Sequence, residues 1–397
     1  MKYCFKCFVY FTFIFTVISC KKPFNPPAIS GSASYLVVQG VINSGSDPTI
    51  ITLSRTVNLS NKVTLNPVSG AVLTIESNQN ISYPLTENTN GNYVSAGLNL
   101  DNSHTYRLSI KINNEQYYSD YVPVLNSPPV DSLFYTVSGN GLNIYSNTHD
   151  PANTAKYYRW DYSETWIIHS NYDSEFISNG DTVLQRPANE QIYSCWSSDT
   201  SSTIILNSSA KLSKAVLFNN PIISIASTSE KLGSEYSILV RQYALTGDAY
   251  SFWTNLKKNT EQLGSIFDAQ PSQINGNIHS VANPTEPVIG YISVGSTSTK
   301  RIFIKTQQLP AWLPKPAYPD CVLDSDLYTF YPPGSKVPVN QVNEFINYKR
   351  GAGANPSIPI APIGLPGHPP IGYTASSPEC VDCTLRGTNI QPSFWKY

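Results

Sequence analysis

The sequence reads as a mainly β chain: two successive β-sandwich domains, one helix of consequence in the second, and a Pro-rich irregular C-terminal segment. Three observations predict this. Short runs of alternating polar and apolar residues recur at intervals of about 8 to 12 residues between turn signals, as sandwiches require. Charged residues are only 13% and 26 tyrosines stand against one methionine, a composition suited to pleated surfaces more than to helices. Of the 30 prolines, 14 lie between Pro310 and Pro378, where they forbid a central sheet.

The first 19 residues read as a lipoprotein leader. Lys2 and Lys6 precede an apolar run from Phe8 to Ile18, which ends in Val17-Ile18-Ser19-Cys20, an apolar-x-small-Cys pattern. The run is far short of the roughly 20 residues that span a bilayer as a helix. Cys20 is therefore the expected lipidation site, and the mature chain is expected in an oxidising Gram-negative envelope. Residues 20–34, with Pro23, Pro26 and Pro27, form a tether that keeps the folded part clear of lipid.

The first domain is expected over 35–125. Its strands are 35–42, 50–57, 71–76, 81–85, 92–95, 105–112 and 116–122, bounded by turn residues such as Asp47-Pro48, Asn66-Pro67, Asn90-Gly91 and Asn113-Asn114. Tyr106, Leu108, Ile110 and Ile112 fall on one face and Arg107, Ser109 and Lys111 on the other, a strand buried on one side. Residues 126–130, with Pro128-Pro129, are a stiff linker. The second domain, 131–307, carries strands at 131–137, 141–145, 157–168, 202–206, 215–218, 236–245, 288–294 and 300–305. Asp248 to Leu263 shows helical spacing after Gly247-Asp248 and stops before Gly264. Residues 308–397 are expected to wrap the second domain as coil.

Net charge is −1, and −3 once Lys2 and Lys6 leave with the leader. Without a basic stripe, nucleic acid is not the expected partner. Four cysteines remain beside Cys20: Cys195, Cys321, Cys380 and Cys383. In an oxidising compartment an even set reads first as two disulfides with three possible pairings. The CxxC spacing of Cys380-Val381-Asp382-Cys383 leaves a structural zinc site and a redox pair as the other readings. The five histidines form no ligand spacing, and P-loop, GxSxG and dinucleotide motifs are absent, so no catalytic residue, metal or cofactor is expected. Asp324-Ser325-Asp326 reads as a solvated loop before it reads as a calcium ligand set.

Tyr157, Tyr158, Trp160, Tyr162 and Trp166 make an aromatic cluster. Core packing is the first reading, and Tyr158, Trp160, Tyr162 and Trp166 are the candidates if it is a stacking platform for carbohydrate. Asp161, Glu164 and Glu175 lie close in sequence without a spacing that marks a glycosidase. A hydrolase acting on envelope glycan or peptide, and a structural or adhesive module, are the alternatives to a non-enzymatic accessory protein.

Several segments carry a resemblance. Tyr35-Leu36-Val37-Val38-Gln39-Gly40, Thr52-Leu53-Ser54-Arg55, Pro67-Val68-Ser69-Gly70-Ala71, Arg241-Gln242-Tyr243-Ala244-Leu245, Val288-Ile289-Gly290-Tyr291 and Cys380-Val381-Asp382-Cys383-Thr384-Leu385-Arg386-Gly387 together resemble the Bacteroidota lipoprotein family called domain of unknown function 4249. The resemblance implies an outer-membrane, lipid-anchored protein working with a TonB-dependent receptor, and supplies no catalytic residue. Lys21-Lys22-Pro23 stands where surface-directed lipoproteins of this phylum carry acidic residues, so the cell-surface and periplasmic faces both stay open. Val68-Ser69-Gly70-Ala71-Val72 and Gly91-Asn92-Tyr93 make the first domain resemble immunoglobulin- and transthyretin-like sandwiches. The second is expected to be fibronectin-III-like.

Overall fold

The computed structural model describes residues 34–57, 66–261, 276–347 and 356–395. Cys20, the leader and most of the tether lie outside them. The first domain begins with β1 (Leu36–Asn43), β2 (Thr49–Arg55), β3 (Val72–Ser77), β4 (Ser82–Thr89), β5 (Asn92–Ser95), β6 (Thr105–Ile112), β7 (Glu115–Ser119) and the short β8 (Val122–Pro123). The seven expected strands are all present. β4 turns the corner of the sheet, pairing with β3 through Ser82–Leu85 and with β5 from Thr86 onward. One curled sheet thus wraps one core, and β6 buries Tyr106, Leu108, Ile110 and Ile112 as its alternation requires.

The second core lies between two sheets. Its strands are β9 (Val130–Ser138), β10 (Gly141–His149), β11 (Tyr157–His169), the hairpin β12 (Phe176–Ser178) and β13 (Val183–Gln185), β14 (Ser194–Thr200), β15 (Ile205–Ser208), β16 (Val216–Ala226) and β17 (Glu235–Leu245), followed by helix α1 (Gly247–Glu261). Thr246 starts the helix, its Oγ1 accepting from the Ala249 N–H at 3.2 Å. Then come β18 (Ile278–Ser280), β19 (Ser293–Gly295) and β20 (Thr297–Lys305). A three-stranded sheet, β16-β10-β9, faces a second sheet, β14-β11-β17-β20, with β15 beside β11. Leu142, Ile144, Leu217 and Ile225 pack against Tyr158, Trp160, Tyr236 and Ile238 between them.

Residues 276–295 depart from expectation. Although 288–294 reads as part of the second domain, the segment returns to the first: β18 pairs with β7 and β19 pairs in parallel with β1, one at each end of the curled sheet. Ile278, Val288, Ile292 and Val294 are buried in the first core. Asn277 holds the return in place, its side chain accepting from the Ile292 N–H at 2.8 Å and donating to the Ile292 carbonyl at 3.0 Å.

Two of the chain's passages between the cores, at 125–130 and at 295–297, therefore run side by side. Leu125 N–H donates to the Val294 carbonyl at 2.9 Å, and a Cβ on Gly295 would stand 2.0 Å from the Leu125 carbonyl oxygen, so only glycine permits the approach. Buried Gln242 secures the linker, donating to the Pro128 carbonyl at 2.9 Å and to Thr148 Oγ1 at 3.0 Å while accepting from Trp160 Nε1 at 3.0 Å. A double crossing with a satisfied buried amide makes the junction stiff.

The C-terminal segment is more ordered than its prolines suggest. β21 (Asp324–Leu327), β22 (Ile358–Ile363) and β23 (Gly372–Ser376) form a small sheet in the order β21-β23-β22, followed by the short helix α2 (Pro378–Val381). The expectation of irregular coil is corrected. The physical reason is that Pro359 and Pro362 lie on the edge strand β22, where a missing N–H is tolerated, while the central β23 has no proline. Two disulfides, Cys195–Cys383 and Cys321–Cys380, fasten this part. That removes the zinc and redox readings of these thiols.

Asp326 lies on β21, in a strand and not in the expected loop. It is 5% exposed, with Oδ2 lacking a hydrogen-bond partner, and among the described residues no group of three or more His, Cys, Asp or Glu is placed to hold a metal. Burial, and secondarily the Asp324 charge, raise its carboxyl to about 6. A carboxyl raised in the folded state costs nothing below its ordinary value near 3.8, and it destabilises the fold progressively as pH climbs through about 6. Asp326→Asn should therefore raise stability at pH 7 by about 1–2 kcal/mol, allowing for screening by nearby water, and the gain should vanish below pH ~4. Urea midpoints measured across that range test it, and a gain independent of pH would contradict the assignment.

Candidate functional site

The alternation along β11 decides where its aromatics go. Tyr158, Trp160, Tyr162 and Trp166 occupy the even, inward face, at 0%, 1%, 7% and 9% exposure. Tyr158 Oη donates to the Ala155 carbonyl at 2.9 Å and Trp160 Nε1 to Gln242, and burial pushes the Tyr162 hydroxyl up to about 12. These rings are core, and offer no platform for stacking. Nor do the nearby acids converge. Glu164 points inward and is held by Lys231 Nζ at 2.7 Å and Tyr236 Oη at 2.7 Å, Asp161 points outward on the opposite face, and Glu175 is exposed in the loop before β12. The carboxylate pair that a glycosidase needs is not assembled here.

The outward face of the same strand builds something else. Antiparallel pairing sets Arg159 opposite Tyr243 and Asp161 opposite Arg241. On the next strand Tyr243 faces Thr297 and Arg241 faces Thr299. Six side chains thus form a two-by-three grid on the sheet, because period-2 alternation sends i and i+2 to the same face. Helix α1 adds Trp253. The Arg159 guanidinium lies 4.3 Å from the Tyr243 ring centre and 4.6 Å from that of Trp253, stacked by both. Arg241 donates through Nε to Asp161 at 2.5 Å and through Nη1 to Ser163 at 3.0 Å, and Arg159 Nη2 stands 3.6 Å from Asp161. Burial, with Asp161 adding to it, raises the Tyr243 hydroxyl to about 12, so it remains protonated at neutral pH.

This grid is the floor of a cleft of about 710 Å³. Its facing wall comes from the first domain, where Gln39, Asn43, Ile50 and Thr52 project from β1 and β2, and the Ser201–Ile204 loop closes one side. Ile50 is 53% exposed and, with Val41 and Pro48, gives this wall an apolar part. The volume lies in the range of small-molecule sites, and the stiff double crossing fixes the two walls relative to each other. Chemically the cleft offers guanidinium and hydroxyl donors, a carboxylate acceptor and aromatic surface. Asp161 stood out in the sequence as one of the nearby acids, and Trp160, which also lines the cleft, as part of the aromatic cluster. Arg159 and Trp253 were not singled out as site residues, and Arg241 and Tyr243 appeared only within a segment of resemblance; for Arg159 the odd positions beside a buried aromatic stripe were the available signal.

The sequence profile of the family described as Domain of unknown function (DUF4249) matches residues 21–301, well over half of the chain. The chain belongs to this family. Both walls of the cleft and the returning segment 276–295 fall inside the matched region, so the double crossing is part of the DUF4249 unit, whereas the disulfide-fastened C-terminal module lies beyond it. Comparison with curated proteins finds no sequence match. Among solved structures, "Structure of Yersinia pseudotuberculosis adhesin InvE" is similar at 13% identity over 53% of this chain and 55% of that one, with a TM-score of 0.14, a likeness too slight to carry an argument.

Proposed function

We propose that this DUF4249 member is a non-enzymatic binding protein, anchored in the outer membrane through Cys20, that serves as an accessory subunit of a TonB-dependent receptor and receives a small polar nutrient in the cleft between its two β cores. The observation that carries the reading is the grid of Arg159, Asp161, Arg241 and Tyr243, capped by Trp253, on the floor of a 710 Å³ space. Such a floor recognises a ligand with several hydroxyl or carbonyl groups and one flat face. The lipobox at Val17–Cys20 supports the anchor, and among the described residues no helix is long and apolar enough to cross a membrane.

The test is a mild-detergent pull-down of the tagged chain from its native membrane, run with a Trp253→Ala, Arg159→Ala double variant. The expected result is a stoichiometric TonB-dependent receptor in both samples, with uptake of that receptor's nutrient reduced about 10-fold or more in the double variant, as loss of a stacked, hydrogen-bonding anchor implies. Isolation of the chain alone would sink the accessory role, and unchanged uptake would sink the cleft as the ligand site.

A further inference from the structure

A second cavity, of about 400 Å³, lies in the C-terminal module, between the β12–β13 hairpin, residues 356–359 and the Cys380–Cys383 turn. Its lining is apolar apart from a few small polar groups and two charged side chains, Arg186 and Asp382. Those two face one cavity and do not form an ion pair within 4 Å of each other, although each is anchored on its far side. Arg186 donates through Nε to the Ser174 carbonyl at 3.1 Å, and through Nη2 to Ser174 Oγ at 3.1 Å and the Phe176 carbonyl at 2.8 Å. Its Nη1 is left without a partner among the described residues. Asp382 is 8% exposed; its Oδ1 accepts from the Thr384 N–H at 2.8 Å and from Thr384 Oγ1 at 2.5 Å, and Oδ2 has no hydrogen-bond partner among the described residues.

Asp382 is buried and Arg186 half-buried, and the two opposite charges act on each other across the cavity without direct contact. They persist because the fold fixes them: Asp382 sits between Cys380 and Cys383, each locked by a disulfide to a distant part of the chain, and Arg186 is clamped by backbone carbonyls. Such preorganisation is the mark of a site built for a ligand. The ligand must carry a carboxylate for Arg186 Nη1, since Nε and Nη2 are already spent on Ser174 and Phe176, and an ammonium for Asp382 Oδ2, close together. The remaining walls, Ile177, Ile192, Ile346 and Ile358, call for an alkyl group.

We propose that this cavity binds a free α-amino acid with an aliphatic side chain, its carboxylate on Arg186, its ammonium on Asp382 and its side chain among the isoleucines. The site is separate from the interdomain cleft and stands whether or not a receptor is the partner.

The experiment is calorimetric titration of the full chain with L-leucine, N-acetyl-L-leucine, L-leucinamide and L-leucyl-L-leucine. Saturable binding of L-leucine is expected, weakened about 10- to 100-fold by capping either end, since each cap removes one charge-assisted contact. Asp382→Asn should weaken L-leucine by a similar factor and leave N-acetyl-L-leucine unchanged, with the melting temperature reporting that the variant is folded. Trp253→Ala, in the other cleft, should change none of these values. Absence of heat with millimolar L-leucine, or equal binding of the capped forms, would overturn the proposal. Tighter binding of the dipeptide than of leucine would overturn the assignment to a free amino acid. Because the analogue series is run on the unaltered chain, the test stands even if Asp382→Asn does not fold.

Discussion

A fragment of residues 34–130, the whole of the first domain as a linear reading would cut it, is expected to lack a cooperative unfolding transition. It loses Ile278, Val288, Ile292 and Val294 from its core. At about 1.5–3 kcal/mol for each fully buried aliphatic side chain, that is roughly 6–12 kcal/mol, comparable to the entire stability of a typical domain. The loss also strips the hydrogen-bonding partners from β1 and β7, leaving two open sheet edges prone to pairing with other chains. Circular dichroism during a urea titration would show a gradual slope with no sigmoid. Supplying residues 276–295 by fusion should restore a single transition. A fragment that unfolds cooperatively without them would mean that the return strands decorate the first domain and do not complete it.

The second large effect is expected from the disulfides. Cys195–Cys383 closes a loop with a sequence separation of 188 residues and Cys321–Cys380 one of 59. Cross-links of this reach restrict the unfolded chain strongly, and replacing the longer one by a Cys195→Ala, Cys383→Ala pair should cost about 3–5 kcal/mol. The module they hold has small cores of its own, with Val183, Val342, Ile346, Tyr373 and Ala375 in one and Ile192, Cys380 and Val381 in the other, so it has little burial with which to compensate. Chemical denaturation followed by tryptophan emission would report it, since Trp196 follows Cys195 directly and sits 6.4 Å from Trp395, ring centre to ring centre. An unchanged midpoint would show that the bond is dispensable for stability.

The strands of the first domain were legible because each has a clean two-residue alternation between strong turn signals. Tyr106 to Ile112 reads the same way on paper and in space. The return of 276–295 to the first domain was not, although a strand was expected at 288–294. The returning strands are three residues long, and what makes them strands is the unfilled edges of β1 and β7, some 160 residues or more earlier in the chain. β14 was missed for a related reason, since Ser194-Cys195-Trp196-Ser197-Ser198 is mostly small and polar and is ordered by pairing with Ile167, Ile168 and their neighbours on β11. The cleft shows the limit most plainly. Arg159 and Arg241 lie 82 positions apart in the sequence, and only the pairing of β11 with β17 sets Asp161 between them. The aromatic stripe is core, as its first reading had it, and the polar grid lies on the opposite face of the same strand.

The pairing of the four cysteines bears on how the chain matures. The bonds are nested, the second and third cysteines joined inside a loop closed by the first and fourth. On the proposed export route, a chain oxidised as it emerges from a translocation channel meets Cys195 and then Cys321 well before Cys380 and Cys383 exist as partners. Oxidation in order of arrival joins neighbours, so the earliest bond available is one the mature protein does not contain. Reaching the native arrangement then takes thiolate attack on that bond and exchange through mixed disulfides, a step of seconds to hours without help. The yield of mature protein should accordingly follow the supply of disulfide isomerase more closely than the supply of oxidant.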